Sequence, residues 1–411
     1  MKKNIIILLL SILNGFAFGQ SITPDVDLTG SGGSRKIQTA VPFLTISPDA
    51  RGSSFGDAGV ASTPDINSSH WNPSKYSFAE KHAGIGISYT PWLKKLINDM
   101  SISYLSAYTK ISAEEAVYFH MKYFDLGSMT FRDESNQVIK EHNPYEISVG
   151  GGYSRKVSDN TSVGLGLKYI RSDIAGNISL NGGSTVTKPA NAVGVDVFMY
   201  QQRELNIKGN KIDFAWGAGI SDIGTKISYT DGENSDFLPT NLRLGTKVTH
   251  EIDLYNKISW ILDINKLLVP TPPIYYQSTN GGDSLDDSGN RVIYKGKDPD
   301  RGLVSAMFGS LYDAPEGFKE EMQEVILATG FEYWYANAFA ARIGYHYEHP
   351  EKGDKSYLQF GIGMIYKKLG LDISYLLSLS KKNNPIQDTL RFSLFLNIDK
   401  KGNKKEESIT E

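Results

Sequence analysis

Between Ala338 and Asp399, apolar and polar side chains alternate with a period of two. Phe339, Ala341, Ile343, Tyr345 and Tyr347 are set against Arg342, Gly344, His346 and Glu348. Leu358, Phe360, Ile362, Met364 and Tyr366 alternate with Gln359, Gly361 and Gly363, and Leu371, Ile373, Tyr375, Leu377 and Leu379 with Asp372, Ser374 and Ser378. Leu390, Phe392, Leu394, Leu396 and Ile398 complete the series against Arg391, Ser393 and Asn397. This period places the two sets on opposite faces of a strand. Each run is about the 9–11 residues that a tilted strand needs to cross a bilayer. Apolar faces outward and polar faces inward, repeated in neighbouring strands, predict an all-β fold, a transmembrane antiparallel β-barrel.

The same reading from Ala83 onward predicts about 14 strands, at 83–91, 99–109, 114–124, 144–156, 161–172, 190–202, 211–220, 239–250, 257–267, 324–335, 338–348, 356–367, 370–380 and 390–399. Connection lengths check it independently. Short turns at 110–113, 157–160, 251–256, 336–337 and 368–369 alternate with longer connections at 125–143, 173–188, 221–238 and 268–323. Short periplasmic turns and long outer loops are the barrel rule, which also predicts both termini on the periplasmic side. The 268–323 connection is long enough to be functional. Its aromatics suggest an ordered loop that makes contacts, running into a short amphipathic helix at Lys319–Gln323.

Ahead of the strands the pattern changes. Met1–Lys3, an apolar run from Ile5 to Leu13 and Ala17-Phe18-Gly19 read as a secretory signal peptide over 1–19, cleaved before Gln20. Residues 20–40, rich in Ser, Gly and Thr, read as a flexible segment. Residues 41–82 read as a compact plug or hatch for the lumen. In this stretch Ser47 is expected to cap a first helical turn containing Pro48 and Asp49, and small residues permit close backbone approach. The barrel should occupy 83–399, with a mobile charged tail at 400–411.

Composition narrows the chemistry. The 411 residues carry a net charge of −3 and no basic block, which argues against nucleic acid. The absence of cysteine excludes disulfides, thiolate metal sites and a cysteine nucleophile. Gly52-Ser53-Ser54-Phe55-Gly56 matches the G-x-S-x-G pattern but lacks the strand-turn-helix of an α/β sheet that gives it meaning. His346, Glu348 and His349 suggest a metal or hydrolase centre, yet His346 and Glu348 have the parity of a solvated lumen face. Asp283, Asp286 and Asp287 miss the calcium-loop spacing. Asp283-Ser284-Leu285 and Asp388-Thr389-Leu390 resemble a bacterial O-glycosylation acceptor pattern. Tyr89, Trp92, Trp260 and Trp334 read as an interfacial girdle, and Leu105, Phe124, Phe198 and Phe395 as lumen-facing.

Trp71-Asn72-Pro73-Ser74 ahead of the strands resembles the hatch of the FadL family of outer-membrane transporters, whose Asn-Pro-Ala motif ends here in Ser74. More specifically, Ser47 to Ala61 and Leu311 to Phe318 resemble the PorV family of the type IX secretion system, and the likeness spans essentially the whole mature chain. PorQ and PorP-type proteins share parts of it. The resemblance implies a non-enzymatic outer-membrane barrel with no cofactor or metal. Its implied partners are the large translocon pore protein, the C-terminal signal domains of cargo, the attachment-complex protease or sortase, and outer-membrane lipid. On this reading Pro48, Asp49, Arg51, Gly56, Asp57, Gly59, Trp71, Asn72 and Pro73 belong to the hatch. Tyr275, Tyr276, Phe308, Leu311, Tyr312 and Phe318 belong to a loop that binds cargo or translocon. The alternative is FadL-like transport of hydrophobic small molecules, which requires an apolar pocket.

Overall fold

The computed structural model describes residues 35–93, 99–132, 135–174, 176, 177, 179, 180, 185–207, 209–230, 235–277, 283–379 and 388–399. The signal peptide, residues 20–34 of the N-terminal stretch, Gly281 and Gly282 and the 400–411 tail lie outside them. The barrel strands are β1 (Ala83–Pro91), β2 (Ser101–Lys110), β3 (Glu115–Asp125), β4 (Tyr145–Lys156), β5 (Thr161–Asp173), β6 (Ala190–Ile207) and β7 (Asn210–Gly224). They continue as β8 (Asn241–Glu251), β9 (Asn256–Leu267), β10 (Ile326–Tyr335), β11 (Phe339–Tyr347), β12 (Ser356–Tyr366), β13 (Leu369–Ser378) and β14 (Leu390–Ile398). Each pairs antiparallel with its sequence neighbour. β1 pairs with β14 from Ala83↔Ile398 to Tyr89↔Phe392, which closes the ring.

These are the 14 strands that the alternation predicts, with ends shifted by a few residues. β6 and β7 reach further, because their register continues to Ile207↔Asn210 beyond the short-turn rim. Two long connections hold hairpins that their sequence does not announce, Met129–Arg132 with Val138–His142 and Ser179–Leu180 with Thr185–Val186.

Lipid outside and packed protein inside account for the alternation. Leu167 is 60% exposed while its neighbour Lys168 is 9% exposed, on opposite faces of β5. Three expected placements need correction. Leu105 faces outward, because β2 turns Ile102, Tyr104 and Tyr108 inward against residues before β1. Trp92 packs inward on Phe124 (ring centroids 6.3 Å apart). Trp334 stands beneath the Arg342 guanidinium, 5.5 Å from its ring centroid. Tyr89 and Trp260 do face outward.

Residues before β1 contact inward faces around the ring. The chain arrives at the long-connection end, where Ala40 N donates to Phe237 O at 2.9 Å and Ile37 packs beside Phe237, Val269 and Ala306. It leaves at the short-turn end, where Lys81 Nζ lies 2.8 Å from Asp399 Oδ1. The two ends of the described chain therefore lie at opposite ends of the barrel.

Wall glycines allow this inner segment its close approach. A β-carbon on Gly330 of β10 would fall 2.7 Å from Phe55 Cα. Gly330→Val should destabilise the folded barrel by about 1–3 kcal/mol through overpacking. Leu167→Arg on the lipid face should cost about 2–4 kcal/mol if that site lies near the midplane. Denaturant titration of the detergent-solubilised protein, followed by the heat-modifiable gel band, measures both. Wild-type stability in Gly330→Val would refute the close approach.

Candidate functional site

Two regions hold the residues singled out by sequence: the inner segment and the 268–323 connection. In the inner segment, helix α1 (Ala50–Ser53) is capped by Asp49, whose carboxylate accepts from Gly52 N at 2.7 Å. Ser47, expected as the cap, is buried two residues too early to reach that amide, and Pro48 stands between it and the cap. The other Asp49 oxygen accepts from the Trp71 indole at 2.7 Å. Trp71 closes helix α2 (Ser68–Trp71), and its ring lies between Gly52 and Gly59. A β-carbon on Gly59 would stand 2.5 Å from Trp71 Cγ, so glycine is required there by space.

Arg51 reaches the wall. It bonds Glu332 on β10 (3.1 and 3.2 Å) and Asp65 (2.8 Å), while Glu332 also holds Arg342 at 2.9 Å and Arg342 holds Asp372 at 2.6 Å. Gly59 N and Val60 N donate to Asp263 on β9 at 2.6 and 2.9 Å. Asn72 caps the 3₁₀ turn that opens with Pro73, and its amide donates to the carbonyls of Val60 and Met199, both at 3.0 Å. Ser74, the departure from Asn-Pro-Ala, donates its hydroxyl to Asn72, and its carbonyl accepts from Ser154 and Ser162 at 2.8 and 2.7 Å. Asp57 takes a bond from the Tyr357 hydroxyl at a left-handed backbone position, φ 65°. Gly56, also left-handed, offers its carbonyl to His346 Nδ1 at 3.0 Å. His346 is thus buried, not solvated: it stacks on Tyr357 at 4.5 Å, and Nε2 faces Glu348 at 3.2 Å. That arrangement is a packed joint between segment and wall.

Above the segment, at the long-connection end, lies a vestibule of about 390 Å³. Asp57, Trp71, Arg243, Asp263, Glu348 and Arg391 are among its lining residues. Its walls mix these charged groups with apolar ones, among them Ile46, Val60, Trp92 and Leu267.

The 268–323 connection packs over this mouth. A small hairpin pairs Ile274–Tyr275 with Ile293–Lys295; Arg291 lies over the Tyr275 ring (4.3 Å) and Tyr276 meets Tyr294 edge-on (4.9 Å). Two helices follow, α3 (Leu303–Gly309) and α4 (Phe318–Gln323). The amphipathicity of α4 is inverted. Glu320 and Glu321 are buried, whereas Phe318 is 79% exposed. The carboxylates meet lysines: Lys352 Nζ lies 2.6 Å from Glu320 and 2.9 Å from Glu324, and Lys266 Nζ lies 2.8 Å from Glu321 and 2.6 Å from Glu324. Thr271 adds a bond to Glu324 at 2.7 Å, and Arg301 pairs with the buried Asp313. Burial holds the Asp313 carboxyl above its ordinary range, against the opposing pull of Arg301. Val304, Phe308, Leu311, Tyr312, Phe318 and Met322 face outward. The sequence-named Phe308, Leu311, Tyr312 and Phe318 are all exposed, as are Val304 and Met322, which were missed. Their signal was the helical spacing Val304–Phe308 and Phe318–Met322. Tyr275 and Tyr276 belong to the hairpin instead.

A family model described as type IX secretion system protein PorV matches residues 30–274, more than half of the chain. The chain belongs to the PorV family. Membership makes it an outer-membrane component of the type IX secretion system. No curated protein sequence matches it. Among solved structures, the CymD monoaromatic hydrocarbon channel is 10% identical, with TM-score 0.48, covering 87% of this chain and 99% of that one. The toluene transporter TbuX of Ralstonia pickettii is 9% identical, with TM-score 0.44 and coverage of 86% and 99%. A FadL homologue of Pseudomonas aeruginosa is 12% identical, with TM-score 0.44 and coverage of 86% and 99%.

Lys352 neutralises two buried carboxylates of the loop. Replacing it with methionine takes that charge from Glu320 and leaves Glu324 to Lys266, at an expected cost of about 3–5 kcal/mol to that attachment. In Lys352→Met the connection should become cleavable by trypsin at Lys319 while the barrel stays heat-modifiable. An uncut loop would show that the ion pairs do not hold it.

Proposed function

We propose that this PorV-family barrel is a non-enzymatic carrier that binds cargo by its C-terminal signal domain. It associates with the large translocon pore and passes cargo to the protease or sortase of the attachment complex. In this reading the outer surface of the 268–323 connection is the docking face, and the long-connection end is extracellular. The observation that carries the reading is the inverted loop. Phe308, Tyr312 and Phe318 are presented outward by helices whose acidic side chains are fixed inside, and exposed aromatics on a rigid base suit a protein interface. Residues 41–82 close the lumen, since they occupy inward-facing hydrogen-bonding positions on β9, β10 and β13. The C-terminal end lies on the periplasmic side, and Lys36–Ala40 lies at the outer mouth beside the docking face.

FadL-like uptake of hydrophobic molecules is the competing reading. It needs an apolar pocket beside the inner segment; the vestibule offers apolar wall at Ile46, Val60, Trp92 and Leu267 but sets Arg243, Asp263 and Arg391 among them.

Deleting Ser305–Phe318 should abolish capture of cargo signal domains. The milder pair Phe308→Ser and Phe318→Ser, both exposed, should weaken capture by about thirtyfold for an anchor worth ~2 kcal/mol. Co-purification of cargo and the translocon pore measures this. Unchanged secretion in the deletion strain would defeat the assignment, and bound lipid in place of protein partners would favour uptake.

A further inference from the structure

A second, smaller cavity lies deeper in the barrel, between the inner segment and β3, β4, β5, β7 and β8. It leaves about 20 Å³ for the centre of a water-sized particle. That is room for one or two such particles.

Its wall is cationic. Lys122, Lys168 and Arg243 face it, against the single carboxylate of Asp222. Lys168 accounts for that carboxylate, with Nζ 2.8 Å from Asp222 and 2.9 Å from Asp196. Of the neighbouring carboxylates, Asp263 takes the Gly59 and Val60 amides on Oδ2 while its buried Oδ1 has no partner, and Glu146 takes the Ser172 hydroxyl at 2.8 Å. Lys122 is left with the carbonyls of Leu44 (3.3 Å) and Ile46. Arg243 Nη1 donates to the His70 carbonyl at 2.9 Å, and its Nε has no partner. Both side chains belong to buried residues, 3% and 5% exposed. Among the described residues no carboxylate bonds Lys122 or Arg243 directly; a buried cation so placed is expensive, and a counter-charge in contact relieves it. His120 Nδ1 and Ser148 Oγ line the same cavity, also without a partner.

We infer that this cavity is a binding site for a monatomic anion of the halide class, chloride or bromide. Lys122 Nζ–H and Arg243 Nε–H would donate to it with the charge assistance that shortens and strengthens such bonds. The Ser148 hydroxyl, and His120 as its Nδ1–H tautomer, would complete the shell. A water molecule accepts two hydrogen bonds, whereas a halide accepts from every side, which suits a wall rich in donors. The cavity is too small for a phosphate or a carboxylate-bearing metabolite. Lys122 also holds Leu44 and Ile46, and Arg243 also holds His70, so the ion would join the inner segment to the wall by charge. Occupancy would thus steady the closure of the lumen.

The test uses the full-length protein in detergent. Crystals grown with bromide in place of chloride should show an anomalous peak within hydrogen-bonding reach of Lys122 Nζ and Arg243 Nε. In solution, halide raised about a hundredfold above its dissociation constant should lift the temperature of gel-band conversion by a few degrees over gluconate at equal ionic strength. Lys122→Met combined with Arg243→Gln should abolish that difference. Should the double variant not fold, Ser148→Ala should reduce the halide response severalfold while keeping both charges. A cavity without a bromide peak, or coincident chloride and gluconate curves, would overturn the site.

Discussion

A strand in a bilayer offers its outward face to lipid, so the polar side chains of its other face must find their partners inside the ring. The rest of this structure depends on that constraint. It explains why Leu167 and Lys168 stand side by side in sequence and on opposite sides of the wall. It also explains why a segment with little regular structure of its own is held in a definite place. Glu332 and Asp372 point inward because their strands leave no alternative, and Arg51 and Arg342 tie them into one buried chain of ion pairs. Removing a partner from such a network leaves a buried charge, which costs far more than the pair itself contributes. The wall therefore specifies the segment as much as the segment fills the wall.

Packing carries the same specification into the apolar contacts. The inner segment needs glycine on both sides of the contact. Gly330 lets the wall accept Phe55, and Gly52 and Gly59 let the segment enclose its own Trp71. Trp71 is then fixed by Asp49, which also caps the helix leading to Arg51. One carboxylate thus links helix start, aromatic core and ion-pair network.

The strands were legible in the sequence because a period of two cannot be mistaken once it recurs with alternating connection lengths. The errors arise where an inward face is not polar. β2 carries Ile102 and Tyr108 inward because the segment before β1 supplies apolar partners for them, and Tyr104 because Ser69 meets its hydroxyl at 2.6 Å. A rule of apolar-outward then misplaces Leu105, and it misplaces Trp92 for the same reason. The small-residue motif from Gly52 to Ala61 announced close approach but not its target, since partners such as Ser374 and Ser393 lie more than three hundred positions away in the chain. His346 read as solvated because parity gives a direction and no neighbour. Only the fold brings Gly56 and Tyr357 to it.

The loop inverts the ordinary logic of a soluble helix, and the inversion follows from what lies beneath it. A helix resting on an apolar core turns its apolar face down. Helix α4 rests instead on a mouth carrying Lys266 and Lys352, so Glu320 and Glu321 turn down and Phe318 and Met322 are left in the open. Exposed aromatics on a mobile loop would lose entropy on binding any partner. Here the buried ion pairs have already ordered the backbone that carries them, so a partner docking there, as proposed, would lose less. The cations that satisfy the barrel mouth and the apolar face that meets the exterior are two sides of one short helix. The charge pattern of the lumen thereby determines which surface the protein presents outside.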